Sequence, residues 1–502
     1  MVCVTGAFPL GQNEDNELRI RTALERLSHR GPPQMMKITG PHGKNVIVAV
    51  QMLENHPAEI KEHEGAFWVA DGWDALEGKL GILQAGLDPS EIHNRDDQGL
   101  SVYLTGIGDL IVLNVDARGL NILRSRFSFK PIHYQLQANS ILFSTERKAL
   151  WALGVSQPVT IQPGQLLNVA WDGGISLAWR IPDLQPQVDK SRKKVALRGQ
   201  LRQELMESFN KVAGKEVGVL FSGGVDSCLV AYLAGMICGS VHLYTCYAQG
   251  SRDSKVAEEA ASRLGYDISL MEMDKDLVWN LLPHVLYATE RVKRKDVEIA
   301  VPFLLASREA RADGMSLLLS GQGPDELFAG YSRYVGILRR AGEEALHEKL
   351  WKDVSVTHDK NIERDELAAA FGGCDLFFPY LSSSFIRSAM MVPARHKIHV
   401  DESPERKVLF RELATEMGLD PALSRNPKKA TQYSSGSAKL LVEAMRDNVD
   451  ELADATRREV YRNMDIVLSA IAGAIGLPGH PAEQDTSLTI DLRAVDEFNR
   501  LL

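Results

Sequence analysis

Apolar and polar residues alternate in short runs through the first 180 residues of the chain. NVIVAVQML, GAFWVADGW and GDLIVLNVDARG are three such runs, and turn residues separate them. Alternation with a period of two is typical of strands that bury one face, so the pattern predicts a β-rich domain with a few helices. Two prolines and a cluster of charges in IPDLQPQVDKSRKK (residues 181–194) end this part of the chain.

The pattern changes after residue 190, where strand-like and helical runs alternate. A helix predicted at about 192–212 precedes the strand EVGVLFS, and helical patterns separate the further strands VHLYTCYA, DISLMEM and SLLLSG. Strands that alternate with helices predict a parallel sheet with crossover connections. Beyond about residue 330 the pattern is mostly helical. We therefore expect two domains, residues 1–185 and 190–502.

The run LFSGGVDSCLVAYLAG, which begins at residue 220, predicts an anion-binding loop between a strand and a helix. Gly223 and Gly224 let the backbone come close to a ligand, and the start of the helix directs free N–H groups and its positive dipole end at an anion. Ser222 and Ser227 can add hydroxyl donors. The alternative is a glycine-rich turn without a ligand.

Asp226 in the same loop would repel a phosphate unless a cation lay between them. Mg²⁺ is the hard ion that bridges carboxylate and phosphate oxygens, so Asp226 indicates a magnesium site. A second glycine-rich turn, GQGPDELFAGYSRY (residues 321–334), follows the strand SLLLSG and can supply a second carboxylate from Asp325. The alternative makes Asp325 and Glu326 a helix N-cap and first-turn acid.

The loop SRNPKKATQYSSGS (residues 424–437) is basic and lies between helical patterns. A lysine that reached the phosphates would neutralise the charge that develops on departing pyrophosphate. The alternative is a solvated basic loop, which is the common fate of such runs.

Composition restricts the partners of the chain. It has 502 residues, and 57 basic against 66 acidic residues leave a net charge of −9, which argues against a role in coating nucleic acid or a polybasic membrane contact. The five cysteines are scattered, without a C-x-x-C pair, which is typical of a reducing compartment. We found neither a signal-peptide pattern nor an apolar stretch of membrane-spanning length, so we expect a cytosolic protein.

SGGVDS resembles the pyrophosphate-binding loop S-G-G-x-D-S of ATP pyrophosphatases. Together with SGQGPDELFAGY and the late R-x-P-K loop, in this order and spacing, it resembles the asparagine synthetase family. That family includes glutamine-dependent asparagine synthetases, β-lactam and carbapenam synthetases and lasso-peptide cyclases. In the N-terminal third, ERLSHRGPP is similar to the family's H-R-G-P-D, and FSTERKAL is similar to F-A-S-E-x-K-A-L. The resemblance covers nearly the whole chain.

The resemblance implies an α+β Ntn-hydrolase-like sandwich, followed by an α/β ATP-pyrophosphatase domain of the adenine nucleotide α-hydrolase type with a parallel sheet and a helical C-terminal part. It also implies ATP and Mg²⁺ as cofactors, which activate a carboxylate as an acyl-adenylate before an amine displaces AMP. Asparagine is the favoured product, made from aspartate with ammonia or glutamine. The alternatives are a β-lactam-synthetase-like or cyclase-like amide synthetase and a non-catalytic nucleotide-binding relic. The oligomeric state stays open, with a homodimer among the options.

The resemblance also assigns residues. It places ATP and pyrophosphate on Leu220, Ser222, Gly223, Gly224, Asp226, Ser227, Gly321 and Gly323, places Mg²⁺ on Asp226 and Asp325, and gives catalysis to Lys428, Gln322 and Glu290. Lys428 would stabilise the transition states of adenylation and acyl transfer, with Lys429 as the fallback. Gln322 stands where many asparagine synthetases have a glutamate, and an amide orients an amine but does not accept its proton. Glu290 would line the acyl-substrate pocket; the alternative is an exposed glutamate at a helix end.

The N-terminal third departs from the family pattern. The family nucleophile is a cysteine exposed at residue 1, whereas this chain begins MVCVTG and places Cys3 one position late. A cysteine inside the chain has no free α-amine to act as its base, unless processing removes both preceding residues. The family's N-G-E reads Asp71-Gly72-Trp73, and the final acid of H-R-G-P-D is Pro33. We therefore expect no glutaminase nucleophile in a domain that is retained for structure, and we keep Cys3 as the only candidate for that role.

Overall fold

The computed structural model describes residues 2–10, 15–53, 58–63, 65–73, 108–137, 140–172, 174–180, 187–249, 251, 253–401, 403–425, 436–480 and 488–501. Within these ranges we name residues 2–180 the N-terminal region and residues 187–501 the C-terminal region. The N-terminal region contains antiparallel sheets, and the C-terminal region contains a parallel sheet surrounded by helices.

The N-terminal region holds two antiparallel sheets, each of six described strands. The strands are β1 (Val2–Leu10), β2 (Pro33–Thr39), β3 (Asn45–Met52), β4 (Ala58–His63), β5 (Ala66–Asp71), β6 (Ile111–Val115), β7 (Gly119–Arg124), β8 (His133–Gln137), β9 (Ser140–Ser144), β10 (Val159–Thr160), β11 (Gln165–Ala170) and β12 (Ile175–Arg180). The first sheet has the order β10–β8–β9–β1–β3–β2, and the second has the order β12–β11–β7–β6–β5–β4. The α-helices that the structure describes in this region are α1 (Asp15–Glu25) and α2 (Arg147–Ala152).

The apolar face of each strand explains how these layers pack. Val4 and Phe8 of β1 join Val69 and Ile111 of the second sheet in one buried cluster between the sheets. Ala7, on the opposite face of β1, belongs to a second cluster that includes residues of α1 and α2. Because successive side chains of a strand point to opposite faces, the first sheet is covered on both sides, by the second sheet and by the two helices. The alternating pattern therefore correctly predicted that the region is rich in β-strands.

The C-terminal region is built on a parallel sheet of the order β15–β14–β13–β16–β17. Its strands are β13 (Glu216–Leu220), β14 (Ser240–Ala248), β15 (Ile268–Met273), β16 (Leu317–Ser320) and β17 (Asp375–Phe377), and a small antiparallel pair consists of β18 (Ile398–His399) and β19 (Glu405–Arg406). All four pairings within the large sheet are parallel. The prediction of a parallel sheet with crossover helices is confirmed.

Helices surround this sheet. They are α3 (Lys194–Asn210), α4 (Val225–Ile237), α5 (Asp253–Leu264), α6 (Lys275–Thr289), α7 (Arg294–Ala312), α8 (Pro324–Leu327), α9 (Ser332–Ser355), α10 (Glu363–Phe371), α11 (Ser383–Met391), α12 (Val408–Glu416), α13 (Pro421–Ser424), α14 (Ser437–Asn448), α15 (Arg457–Ala474) and α16 (Arg493–Leu501). The helix α9 is interrupted at Gly342, which has a φ of 83°. A short π-helical segment, His358–Ile362, directly precedes α10.

The centre of the parallel sheet places the two glycine-rich turns side by side. The strand β13 lies between β14 and β16, and its Val219 pairs with Leu243 on one side and Leu319 on the other. Strands that are buried on both faces have nearly continuous apolar sequences. The strand β16, with the sequence LLLS, is buried at all four positions. Leu220 pairs with Ser320, so the two strands end at the same level. Ligands of such sheets bind at this carboxyl edge.

Aromatic side chains join the two regions. The ring of Trp73 lies 4.7 Å from that of Phe377 at the end of β17, and Phe129 lies 4.9 Å from Phe378, both measured between ring centroids. Trp73 and Phe129 belong to the same buried cluster as the core of the C-terminal region. Contacts of this kind bury large apolar surfaces, so the two regions share one continuous core.

No helix in the described part of the chain is both long enough and apolar enough to cross a lipid bilayer. Cys228, Cys238, Cys246 and Cys374 are free thiols, and burial raises the pKa of each of them.

Candidate active site

The loop between β13 and α4 is shaped by its glycines and closed by its hydroxyls. Gly223 has a φ of 68°, and a Cβ there would lie 2.8 Å from the carbonyl oxygen of Val256. The backbone N–H of Ser222 donates to the Oγ of Ser227 over 3.2 Å, and that hydroxyl lies 3.2 Å from the carbonyl oxygen of Gly224. Gly224 precedes α4 and has no side chain that could cap the first N–H groups of the helix.

The turn Gly321–Gly323 packs directly on this loop. A Cβ on Gly321 would lie 3.0 Å from the backbone nitrogen of Ser227, so only glycine allows so close an approach without movement. Gly323 has a φ of 116°, which is outside the range that L-residues favour. The structure thus brings the two motifs together at the carboxyl ends of β13 and β16.

Asp226 and Asp325, the two acids predicted to hold magnesium, converge on one cation, the ammonium of Lys407. The Nζ of Lys407 lies 2.7 Å from each carboxylate oxygen of Asp226 and 2.7 Å from Oδ1 of Asp325. All three side chains are buried. The ammonium offsets the repulsion that two carboxylates would otherwise exert on each other. Lys407 has a φ of 58°, a backbone conformation that is uncommon outside glycine and is frequent at functional sites.

The same two carboxylates fit Mg²⁺. Protein sites for Mg²⁺ commonly use one or two carboxylates and leave the remaining positions to water and substrate phosphates. Asp226 and Asp325 already direct oxygens at one positive charge. Among the described residues, no group of three or more His, Cys, Asp or Glu side chains could hold a metal ion. The donor set of two carboxylates therefore matches the number that magnesium sites in proteins commonly use.

Neighbouring groups fix the two acids. The hydroxyl of Tyr380 donates to the backbone oxygen of Asp226 over 2.9 Å. Gly330 lies against the carboxylate of Asp325 and the side chain of Lys407, where a Cβ would overlap both. The guanidinium of Arg406 donates to the carbonyl oxygen of Gly330 over 2.6 Å. Backbone contacts of this kind hold the carboxylates in place before any ligand binds.

Leu220, one of the predicted ATP-binding residues, is half-buried at the end of β13 and pairs with Tyr244 of β14. The hydroxyl of Thr245 donates to the carbonyl oxygen of Phe221 over 2.5 Å. These contacts connect the ends of β13 and β14 at the edge where the anion-binding loop begins.

Gln322 sits between the two glycines of the second turn. Its Nε2 donates to Oδ2 of Asp365 over 3.1 Å. Asp365 is fully buried, and burial raises its pKa to about 6, although Arg364 and the bond from Gln322 act in the opposite direction. The hydrogen bond from the Gln322 amide favours the ionised form of this carboxyl, and the carboxyl in turn holds the amide in place.

Lys428 and Lys429 lie outside the described residues, but both ends of their loop are described. On one side, the Oγ1 of Thr415 lies 3.0 Å from the Oγ of Ser424. On the other side, the hydroxyl of Ser437 donates over 2.5 Å to the carbonyl oxygen of Glu298. This carbonyl would normally accept the backbone N–H four residues further along α7, but Pro302 stands there and has no N–H.

These ends lie beside the elements that carry the anion-binding loop. The short helix α13, which ends at Ser424, contacts α4, and α14, which begins at Ser437, contacts β14. Gly436 packs on Ala248 so closely that a Cβ would overlap the Cβ of Ala248. Gly436, the described residue at which the loop ends, therefore lies at the carboxyl end of β14.

Glu290 lies in the boundary between the two regions. Its carboxylate accepts the backbone N–H groups of Arg147 and Lys148 over 2.9 and 2.8 Å, so it caps the first turn of α2 from the other region. Its side chain is fully buried, and its φ is 56° at the end of α6. The alternative of an exposed glutamate at a helix end is wrong, because burial is complete. These contacts give no support to a catalytic role, and they assign the carboxylate to the boundary.

The residues that replace the family's N-G-E are also engaged in packing. Asp71 pairs with Lys130 over 2.5 Å, and the backbone N–H of Trp73 donates to Asp109 over 3.2 Å. The backbone of Cys3 lies within β1, opposite Gln51 of β3. The side chain of Cys3 lies outside the described residues.

Lys407 is the charged partner of both acids, and the sequence did not predict it; Tyr380, Arg406 and Asp365 were also missed. The segment ERKVLFRELA carries no glycine-rich turn and no spacing that indicates a ligand. Lys407 reaches Asp226 from 181 positions further along the chain. A basic residue at the start of an amphipathic helix is ordinarily solvated, so only the tertiary structure identifies it.

Known proteins resemble the chain along most of its length. The family model described as asparagine synthase matches residues 200–343 and 338–495. A Methanocaldococcus jannaschii protein named "Putative asparagine synthetase (glutamine-hydrolyzing) 1" is 28% identical over 392 residues, which are 68% of this chain and 72% of that protein. Asparagine synthetase (glutamine-hydrolyzing) 2 of Oryza sativa subsp. japonica is 25% identical over 488 residues. The match covers 86% of this chain and 76% of the rice protein.

Asparagine synthetase (glutamine-hydrolyzing) of Zea mays is 25% identical over 442 residues, which are 79% of this chain and 69% of its own. Among solved structures, the glutamine phosphoribosylpyrophosphate amidotransferase from B. subtilis covers 53% of this chain and 65% of its own, at 12% identity and a TM-score of 0.26.

Proposed function

The chain belongs to the asparagine synthase family, and on this premise we propose that it makes asparagine from aspartate through an acyl-adenylate, with ammonia as the nitrogen donor. Members of this family are carbon–nitrogen ligases, so the chain is an enzyme. One observation carries the proposal. Asp226 and Asp325 meet at a single cation beside two glycine-rich turns, at the edge of a parallel sheet where ligands bind.

In this proposal, the triphosphate of ATP lies between the two turns. The hydroxyls of Ser222 and Ser227 and the N–H groups at the start of α4 bind phosphate oxygens. Asp226 and Asp325 would hold Mg²⁺, which neutralises phosphate charge when it is bound. Lys407 keeps the two carboxylates together and supplies a further positive charge beside them.

The nitrogen donor approaches on the side of Gln322. The side-chain amide of Gln322 is held by Asp365, so the position of this amide is set before the amine arrives. We further propose that the N-terminal region is of the Ntn-hydrolase type and has no working glutaminase. The packing of Trp73 on Phe377 and the pairing of Asp71 with Lys130 support this, because the replaced residues serve the structure.

The proposal is tested by following AMP and pyrophosphate formation from ATP with aspartate and ammonia, and by identifying the amide product. We expect both products to depend on aspartate, and we expect glutamine to support turnover no better than its free ammonia content explains. Turnover with other carboxylic acids but not with aspartate would reject asparagine as the product. Efficient glutamine hydrolysis would reject the inactive N-terminal region, and sequencing of the mature N-terminus would then show which residue is exposed.

Lys428→Ala is expected to reduce turnover by about 10²–10³-fold, since it removes a cation from the position where charge develops on departing pyrophosphate. ATP affinity, measured by equilibrium binding, should stay within about threefold, because the remaining groups still bind the ground state. Lys429→Ala is the matched control and should retain most activity. If Lys429→Ala is inactive and Lys428→Ala active, the role passes to Lys429; if both variants remain active, the basic loop has no catalytic function.

A further inference from the structure

The first turn of α10 carries three buried carboxylates that reach in different directions. They are Glu363, Asp365 and Glu366, and each is less than 2% exposed. Three acids in one buried turn would repel one another and destabilise the fold unless each met a cation or a donor. The partners of these three residues therefore determine where α10 sits.

Two of the partners belong to the N-terminal region. Arg30 donates from Nη1 to Oε1 of Glu366 over 2.6 Å and from Nη2 to Oε2 over 3.3 Å, which is a two-pronged contact. The Nε of the same guanidinium donates to Glu146 over 2.5 Å. Arg147 donates from Nη1 to Glu363 over 2.9 Å. Arg30 is 1% exposed, so its contact with Glu366 is sheltered from water.

A further partner belongs to the candidate active site, and Arg291 and Arg364 of the C-terminal region add ion pairs to Glu363 and Asp365. Asp365 lies between Glu363 and Glu366 in the same turn and accepts the amide of Gln322 over 3.1 Å. One helical turn thus connects the N-terminal region with the Gly-Gln-Gly turn. A helical turn is rigid, so a displacement of Glu366 also displaces Asp365.

We propose that the N-terminal region acts as a positioning element for amide formation, in which Arg30 and Arg147 hold α10 so that Asp365 keeps the Gln322 amide oriented toward the incoming amine. The proposal rests on the proposed function for the identity of the reaction. It explains why an N-terminal region without glutaminase chemistry would still be required. Asp365, Glu366 and Arg30 are positioning residues, because they act on the amine through Gln322.

The enzymatic test compares the amount of amide product with the amount of AMP. Asp365→Ala and Glu366→Ala should lower the ratio of asparagine to AMP at least fivefold, because an adenylate whose amine is poorly oriented is hydrolysed instead. The KM for ATP should stay within threefold. The conservative variants Asp365→Asn and Glu366→Gln should restore part of the ratio, since each keeps a hydrogen-bond acceptor. An unchanged ratio in both alanine variants would overturn the proposal.

The matched control is Phe127→Ala. The ring of Phe127 packs edge-on against Trp351 of α9, with 6.5 Å between their centroids. The Phe127→Ala variant therefore loses a contact between the two regions that does not involve α10. We expect this variant to lose stability and to keep the wild-type ratio of asparagine to AMP. An equal loss of that ratio in Phe127→Ala and Glu366→Ala would show general loosening of the boundary and would refute a specific role for α10.

Hydrogen–deuterium exchange provides a readout that needs no substrate. The peptide that spans residues 317–327 should exchange at least threefold faster in Glu366→Ala than in wild type, and at the wild-type rate in Phe127→Ala. Unchanged exchange in Glu366→Ala would refute the positioning role, whatever the enzyme makes. If the wild type forms no asparagine, the proposed function fails, and the exchange rates still decide whether Arg30 and Glu366 hold the turn.

Discussion

Replacing Lys407 with methionine is expected to lower the free energy of unfolding of the C-terminal region by about 3–5 kcal/mol in the absence of divalent cations. The ammonium lies 2.7 Å from oxygens of both Asp226 and Asp325, and the substitution leaves two buried carboxylates facing each other without it. Turnover should fall by more than about 10³-fold, because the same charge lies beside the proposed phosphate site. Urea unfolding in EDTA and steady-state AMP formation measure the two effects.

Magnesium should partly reverse the loss of stability in Lys407→Met. If Asp226 and Asp325 can hold Mg²⁺, millimolar magnesium will raise the unfolding midpoint of Lys407→Met more than that of the wild type. The matched control is Lys407→Met combined with Asp325→Asn, which keeps the geometry but removes one charge and should lose the magnesium response. Equal midpoints with and without magnesium in Lys407→Met would contradict the assignment of the two carboxylates to a metal.

Local patterns predicted the elements and the motifs that are contiguous in the chain. The run that begins at Leu220 contains its own strand, glycine turn and helix, and the structure has β13 and α4 there. The apolar run before Gly321 likewise predicted β16. Because parallel strands end at the same edge, the proximity of the two turns followed from the alternation of strands and helices.

Contacts between distant segments were beyond such patterns. Lys407 approaches Asp226 only because the short strands β18 and β19 place it there, and no periodicity encodes that path. Glu290 has the sequence context of a solvated helix end, but α2 of the other region covers it and uses its carboxylate as a cap. Arg30 and Glu366 lie 336 positions apart in the chain, so their ion pair is evident only in the folded structure.

Lys397→Met is expected to raise the free energy of unfolding of the C-terminal region by about 3–5 kcal/mol at pH 6.5, on the scale of 1.4 kcal/mol per pKa unit. Lys397 is fully buried, and its Nζ has no hydrogen-bond partner among the described residues. The nearest ring is that of Phe328, 6.0 Å away, which packs against Phe385 and Phe410. Methionine has a similar length and no charge, so it fills the same apolar space without the cost of desolvating an ammonium.

The pH dependence of this gain identifies its cause. Burial lowers the pKa of Lys397 from 10.5 to about 7. Between those values the unfolded chain binds a proton that the folded chain does not, so the stability of the wild type rises with pH and the advantage of Lys397→Met shrinks. We expect the gain to be fully present below pH 7 and to fall to about 1 kcal/mol at pH 9.5.

The matched control is Lys148→Met, which removes an equally buried lysine that is paired with Glu146 and Glu290 and should destabilise the protein. A gain that did not change with pH would mean that improved packing, and not the removal of a buried charge, stabilises Lys397→Met.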